Sequence, residues 1–283
     1  MKQAIYTENI SKSFKNNKIL YEISFAVEKG EIFGLIGSSG AGKTTLMKIL
    51  TGQIKSDTGI SYINHIKSDE LKNENYRNIG IMMDNFGLYE RLTCFDNLKI
   101  FARLYKIENK TIVQSLESVG LLHAKNTVVS KLSKGMKSRL RLARVLMHNP
   151  DIIFLDEPTS SLDPATAKEI QKLILLEKNK GKTIFLTTHH MPEAETLCNQ
   201  IAILHNGTII EQGTPQEICR RHHHQKKFRI HLADGSDKEI LQNMQSANII
   251  YELLKNNMIE TIHSTEPNLE TIFMELTGKE LAI

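Results

Sequence analysis

The chain has 283 residues, 40% hydrophobic and 24% charged, enough for one large domain with its own core, alone or with a small appendage, and a poor match to disordered or fibrous chains. Its formal net charge of +4 is too mild to announce nucleic acid and fits an ordinary surface, compatible with contact at an anionic membrane face. No run approaches the roughly 18 to 20 apolar residues of a membrane-spanning helix; the longest apolar patches, such as residues 152–155, are short and end in charge.

The start, MKQAIYTENISKSF, alternates polar and apolar residues and lacks the apolar core of a signal peptide, so the chain is expected to stay in the cytoplasm. Three segments then read as strands, AIYTENISKSF, ILYEISFAV and EIFGLIG, rich in Ile, Tyr, Phe or Val and separated by Asn, Lys or Gly. The third runs into GSSGAGKTTLMKIL, where apolar spacing becomes helical, which predicts strand, glycine loop and helix in succession. From about Phe86 to His148 the pattern is mostly helical. Beyond it, DIIFLDE and TIFLTTH read as strands around the helix PATAKEIQKLILLEKN, a βαβ unit that implies a parallel sheet.

After Pro215 the tract CRRHHHQKKF interrupts the pattern and is expected to be a linker. His222, His223 and His224 are adjacent, without the spacing of a zinc site, and the neighbouring Arg220, Arg221, Lys226 and Lys227 suit a solvated segment. The remainder predicts a strand FRIHL, a turn at Ala233, Asp234 and Gly235, and a helix around EILQNMQSANIIYELL. A strand IETIH and a helix in TEPNLETIFMELTG follow, with Pro267 in its first turn and Gly278 at its end. Cys94, Cys198 and Cys219 are odd in number and lack metal-ligand spacing, which fits a reducing compartment.

Two motifs carry chemistry of their own. Gly37, Ser38, Ser39, Gly40, Ala41, Gly42, Lys43 and Thr44 match the phosphate-binding pattern G-x-x-x-x-G-K-[ST] in full, with Thr45 next in the helix. Glycines let backbone N–H groups turn inward around phosphate oxygens, and the helix N-terminus adds a positive end. Lys43 is placed to reach the β and γ phosphates, and Thr44 to offer a hydroxyl to Mg²⁺. In IIFLDEP, Asp156 and Glu157 end a buried strand, where paired carboxylates are costly unless a cation or proton transfer accounts for them. Asp156 is the expected Mg²⁺ ligand and Glu157 the expected general base for an attacking water.

Between these motifs, Leu132-Ser133-Lys134-Gly135-Met136 resembles the signature LSGGQ of the ABC ATPases. Ser160, Ser161, Leu162 and Asp163 are similar to that family's D-loop. Thr187, Thr188 and His189 are similar to its switch-histidine segment, and Phe14 stands where its adenine-stacking aromatic does. The resemblance covers about residues 1–218, expected to be the ATP-binding domain, and implies an α/β fold there: a P-loop NTPase core with an antiparallel β subdomain and a helical signature subdomain. The residue pattern beyond it reads as a basic linker at 219–227 and a small C-terminal α/β appendage, an accessory domain, at 228–283.

The function implied is that of an ATPase subunit of an ABC transporter, with ATP and Mg²⁺ as cofactors and a separate polytopic permease as partner. Two chains would pair head to tail, ATP on one P-loop being capped by Ser133, Gly135 and Met136 of the other, with Asp163 linking the sites and His189 contacting the γ-phosphate. No nucleic-acid partner is implied, and the subunit would sit on the inner face of the cell membrane. GLYERLT, TTHHMPEAE and EPNLETIFMELTGKEL look like the ATPases of drug, bacteriocin and lantibiotic exporters, including the bacitracin-resistance type. A switch acting on a non-transport macromolecular machine is the second reading. The chain departs from the family at Lys134 and Met136 of the signature, and at Asp84, where the family has its Q-loop glutamine. Asp84 is expected to engage phosphate through the metal or a bridging water.

Overall fold

The structure, a computed structural model, describes residues 3–83, 87–222, 227–265 and 268–278. It divides into two compact units, Met1–Gly213 and Thr214–Glu280.

In the first unit, β1 (Gln3–Phe14) and β2 (Asn17–Glu28) pair antiparallel, and β3 (Ile32–Ile36) leads through the glycine loop to α1 (Lys43–Leu50). Next come β4 (Thr58–Ile63), β5 (Ile66–Lys67) and β6 (Ile79–Met82), then the helices α2 (Cys94–Tyr105), α3 (Asn109–Ser118) and α4 (Lys134–Leu146). The unit closes with β7 (Ile152–Asp156), α5 (Pro164–Asn179), β8 (Thr183–Thr188), α6 (Met191–Leu197), β9 (Gln200–His205) and β10 (Thr208–Gly213).

Two sheets result. One is antiparallel, in the order β2-β1-β4-β5; the other runs β10-β9-β3-β8-β7-β6, parallel throughout except for the edge strand β10. All five residues of β3 and of β7 are buried, as expected for strands covered on both faces. Phe33 and Phe185 face each other in register on β3 and β8, with centroids 5.7 Å apart, and Phe25 of β2 stacks on Phe33 at 4.9 Å. This aromatic column joins the two sheets into one core. A separate cluster, including Leu98, Leu116 and Leu140, holds α2, α3 and α4 together. The expected β subdomain, parallel core and helical subdomain are all present.

The second unit opens with α7 (Pro215–Arg221), whose start is closed by a capping box between Thr214 and Glu217. A three-stranded antiparallel sheet follows, β12-β11-β13, made of β11 (Lys227–Leu232), β12 (Asp237–Leu241) and β13 (Ile259–Thr265). Its helices are α8 (Met244–Lys255) and α9 (Leu269–Thr277).

Three expectations need correction here. The boundary at 218 falls inside α7, and the first residues of the expected linker are helical because the capping box starts a helix before the basic run; His223, His224 and Lys226 lie outside the described residues. Glu239, Ile240 and Leu241 belong to β12, not to a helix, because pairing with β11 outweighs their local helical pattern. The last helix is capped by Asn268, whose side chain accepts from the Thr271 N–H, so it starts after Pro267, itself outside the described residues; Gly278 ends it in the left-handed conformation, as expected.

Candidate active site

Sheet order assembles the site. β8 lies between β3 and β7, so the loops leaving the carboxyl ends of three adjacent strands come together: the glycine loop after β3, Glu157 after β7 and His189 after β8. This is the end of a parallel sheet where ligands bind in open α/β folds. Gly42 caps α1 with φ of 111°, a conformation closed to other residues, and a Cβ at Gly37 would run into the Leu204 carbonyl oxygen. Lys43 is buried, and its Nζ donates to the carbonyls of Gly37 at 2.6 Å and Ser38 at 3.3 Å.

Three oxygen-bearing side chains meet beside it. The Thr44 hydroxyl donates to Asp156 Oδ2 at 3.1 Å, and the Thr187 hydroxyl donates to Oδ1 of the same carboxylate. Asp156 is 5% exposed and is held by this pair. Parallel register sets Asp156 opposite Thr187, which explains why Thr187, given no separate role from sequence, becomes part of the site. Among the described residues no group of three or more His, Cys, Asp or Glu is arranged to hold a metal. A hydroxyl and a single carboxylate are nevertheless the donor set that Mg²⁺ takes from a protein when phosphate oxygens and waters complete its shell.

Glu157 adopts a left-handed backbone, φ of 48°, a strained conformation of the kind found at functional positions. Its N–H donates to the Thr187 carbonyl at 3.1 Å, which fixes the turn and aims the carboxylate across the loop. Oε1 lies 3.2 Å from Lys43 Nζ, and Oε2 is 2.8 Å from His189 Nδ1 and accepts from the His189 N–H at 3.3 Å. With a carboxylate facing Nδ1, that nitrogen carries the proton, which leaves Nε2 pointing away. Phe14, at the end of β1, is 48% exposed and lines a cavity of about 430 Å³ with Ile19, Ser39, Gly40, Lys43, Thr45 and Glu157. An exposed aromatic at the rim of a phosphate loop suits base stacking.

The other expected residues stand elsewhere within the chain. Ser133, Gly135, Met136 and Asp163 do not line that cavity. Ser133 caps α4 by accepting from the Met136 N–H at 3.2 Å, and Asp163 caps α5 by accepting from the Thr166 N–H at 3.0 Å; its hydrogen bonds to Thr166 hold the Asp163 carboxyl below the ordinary range. Space at Gly135 is filled by the Thr166 side chain, so glycine there serves helix packing as well as any approach to phosphate. Asp84, expected to be a metal ligand, lies outside the described residues. Reading from sequence missed Ser138, whose hydroxyl donates to the Pro158 carbonyl at 3.1 Å, and Glu193, which accepts from Thr159 at 2.7 Å. Both contacts join segments far apart in the chain.

A glycine loop at the end of a parallel strand, with a hydroxyl, two carboxylates and a histidine gathered around it, defines a P-loop nucleotide-binding protein built for hydrolysis. The family model described as ABC transporter matches residues 20–160. A fluoroquinolones export ATP-binding protein of Mycobacterium tuberculosis is 38% identical over 263 residues, 92% of this chain and 87% of its own length. A bacitracin transport ATP-binding protein of Bacillus licheniformis is 33% identical over 279 residues, 97% and 90% of the two chains. Among solved structures, the ATP-binding subunit of an ABC transporter superposes with a TM-score of 0.69 at 27% identity, covering 77% of this chain and 92% of that one. A dimeric ATP-binding cassette in a post-hydrolysis state with ADP and Pi gives 0.67 at 27% identity, covering 74% and 98%. The chain belongs to the ATP-binding subunits of ABC transporters, and it is an ATPase.

Proposed function

We propose that the chain powers export of a drug or antibiotic peptide through a separate membrane permease. Two relatives named for fluoroquinolone export and bacitracin transport, each matched over most of its length, support the export reading. No helix among the described residues is long and apolar enough to cross a membrane. The subunit would work at the inner face of the cell membrane.

The observation that carries the hydrolytic mechanism is the Glu157 carboxylate, bracketed by Lys43 at 3.2 Å and His189 at 2.8 Å. An incoming γ-phosphate offers Lys43 a stronger partner than Gly37 O and Glu157. The carboxylate is then available to accept a proton from a water held in line with the γ-phosphorus, while His189 turns its ring toward the γ-phosphate oxygens. Thr44 and Asp156 would hold Mg²⁺, which neutralises charge on the β and γ phosphates when bound. Phe14 would stack on adenine. A second copy would supply Ser133, Gly135 and Met136 to cap the nucleotide, with Asp163 at the boundary between the sites, and Asp84 would report the γ-phosphate to the permease.

A groove of about 1070 Å³ between β6 and the helical cluster, lined by Tyr76, Tyr89, Phe101, Leu104 and Tyr105, is the proposed seat of a permease segment. Leu104 is 72% exposed there. The second unit is proposed to be an accessory domain.

Membrane vesicles carrying the permease test both halves. Glu157→Gln should retain ATP and lose all but about one percent of hydrolysis, about two orders of magnitude for loss of a general base. Leu104→Glu should leave hydrolysis by the isolated subunit intact and abolish its stimulation by the permease. Wild-type turnover by Glu157→Gln would remove the base from the mechanism; undiminished stimulation of Leu104→Glu would remove the groove.

A further inference from the structure

Glu193 has no part in the mechanism above, yet it is 1% exposed and stands in the first turn of α6, just beyond His189. Burial pushes its carboxyl above the ordinary range, and the nearby charge of Glu157 acts in the same direction. A carboxyl in such a place is costly compared with an apolar side chain of similar volume, so its hydrogen bond needs an explanation. That bond is short: Thr159 Oγ1 donates to Glu193 Oε1 at 2.7 Å, with Thr159 itself 8% exposed.

Thr159 belongs to the tight loop that runs from Glu157 to Asp163. Within it the Ser160 N–H donates to the Glu157 carbonyl at 3.2 Å and the Leu162 N–H to the Thr159 carbonyl at 3.2 Å. From outside, the Ser138 hydroxyl of α4 holds the Pro158 carbonyl. Glu193 thus grips the same loop from the side opposite in sequence, through the helix that the switch segment enters. The His190 N–H is in turn fixed on Thr188 Oγ1 at 3.0 Å, which stiffens the stretch between β8 and α6.

We infer that Glu193 is a positioning residue that, through the Thr159 hydroxyl, ties the loop carrying Glu157 and Asp163 to the segment carrying His189, so that the two backbone segments stay in register while the Glu157 and His189 side chains reorient on the nucleotide. The inference rests on the reading of Glu157 and His189 as the hydrolytic pair. It concerns alignment of the reacting groups rather than nucleotide affinity, since neither Thr159 nor Glu193 lines the nucleotide cavity. Loss of the bond therefore lowers kcat and spares KM.

Steady-state ATP hydrolysis by the full chain tests this. Thr159→Val keeps the shape and removes the donor; kcat should fall about tenfold, with KM for ATP changed less than about twofold. Thr159→Ser, which restores the hydroxyl, should recover most of the rate. Glu193→Gln keeps an acceptor at the same place and should stay within about threefold of wild type, whereas Glu193→Leu should match Thr159→Val. The double variant Thr159→Val with Glu193→Leu should be no slower than either single one, because both break the same bond. A kcat for Thr159→Val within about twofold of wild type, losses that multiply in the double variant, or failure of Thr159→Ser to rescue would each overturn the assignment. Glu157→Gln measured alongside separates the two readings: full activity there rejects Glu157 as base and leaves the Thr159–Glu193 coupling to be judged on its own cycle.

Discussion

The ring of His148 lies flat against Tyr105, centroids 4.3 Å apart and planes 4° from parallel, with Nε2 3.2 Å from the Ile79 carbonyl. A carbonyl accepts only, so Nε2 carries the proton in the neutral ring, while the buried Nδ1 has no hydrogen-bond partner among the described residues. Burial depresses the basicity of this imidazole, and the charge of Lys182 lowers it further, against the bond to Ile79. The unfolded chain therefore takes up a proton at His148 before the folded one does, near the ordinary value of about 6.5. Stability from keeping the ring neutral is complete above that pH and is lost as pH falls toward the depressed folded value. Thermal unfolding followed from pH 7.5 to 5 should show wild type losing Tm more steeply than His148→Gln below about 6.5, and parallel curves would show that the ring titrates freely.

At the scale of elements, α4 and α5 meet through their first turns. Ser133 caps one helix and Asp163 the other, and Gly135 admits Thr166 where a Cβ would collide with its methyl group. Replacing glycine by alanine in a helix commonly stabilises by roughly 0.5–1 kcal/mol. Here the collision should cancel that gain, so Gly135→Ala is expected to lower Tm or leave it level. Adding Thr166→Ser, which removes the methyl, should raise Tm above that of Gly135→Ala alone. If the single variant is already more stable than wild type, the close packing at this crossing is not restrictive. Glu157 shows the complementary effect, since its left-handed backbone is held by a distant partner, the Thr187 carbonyl on its N–H, as well as by the local bond from the Ser160 N–H to its carbonyl.

For the whole molecule, the distribution of motifs within one copy is the central fact. Phe14, the glycine loop and Glu157 share a cavity, and the signature residues are not among its walls. In the head-to-tail dimer proposed above, each site would take its P-loop from one copy and its signature from the other. Lys43→Ala and Ser133→Arg chains should each retain only a few percent of activity. Mixed in equal amounts, half the dimers are hybrids with one intact site of two, so the mixture should recover about a quarter of wild-type ATPase activity. A mixture as inactive as its components would place P-loop and signature in the same site within one chain.

Much of this was legible in sequence. The glycine loop, the Asp156–Glu157 pair and the strand, loop, helix order identify themselves because phosphate chemistry requires those residue types at fixed spacing along a continuous stretch of chain. Likewise α5 appears over the residues read as the helix PATAKEIQKLILLEKN, since helix period is a local matter. What the sequence alone could not settle depends on contacts between segments far apart. The helical pattern of Glu239–Leu241 yields to pairing with β11, and neither Thr187 facing Asp156, nor Thr159 reaching Glu193, nor Thr166 filling the space at Gly135 has any linear signature. By itself the sequence determined that this chain binds and hydrolyses ATP. The tertiary structure decided how its catalytic groups are held, because sheet order and register, which bring strand ends and loops within hydrogen-bond distance, are settled only when the whole chain packs.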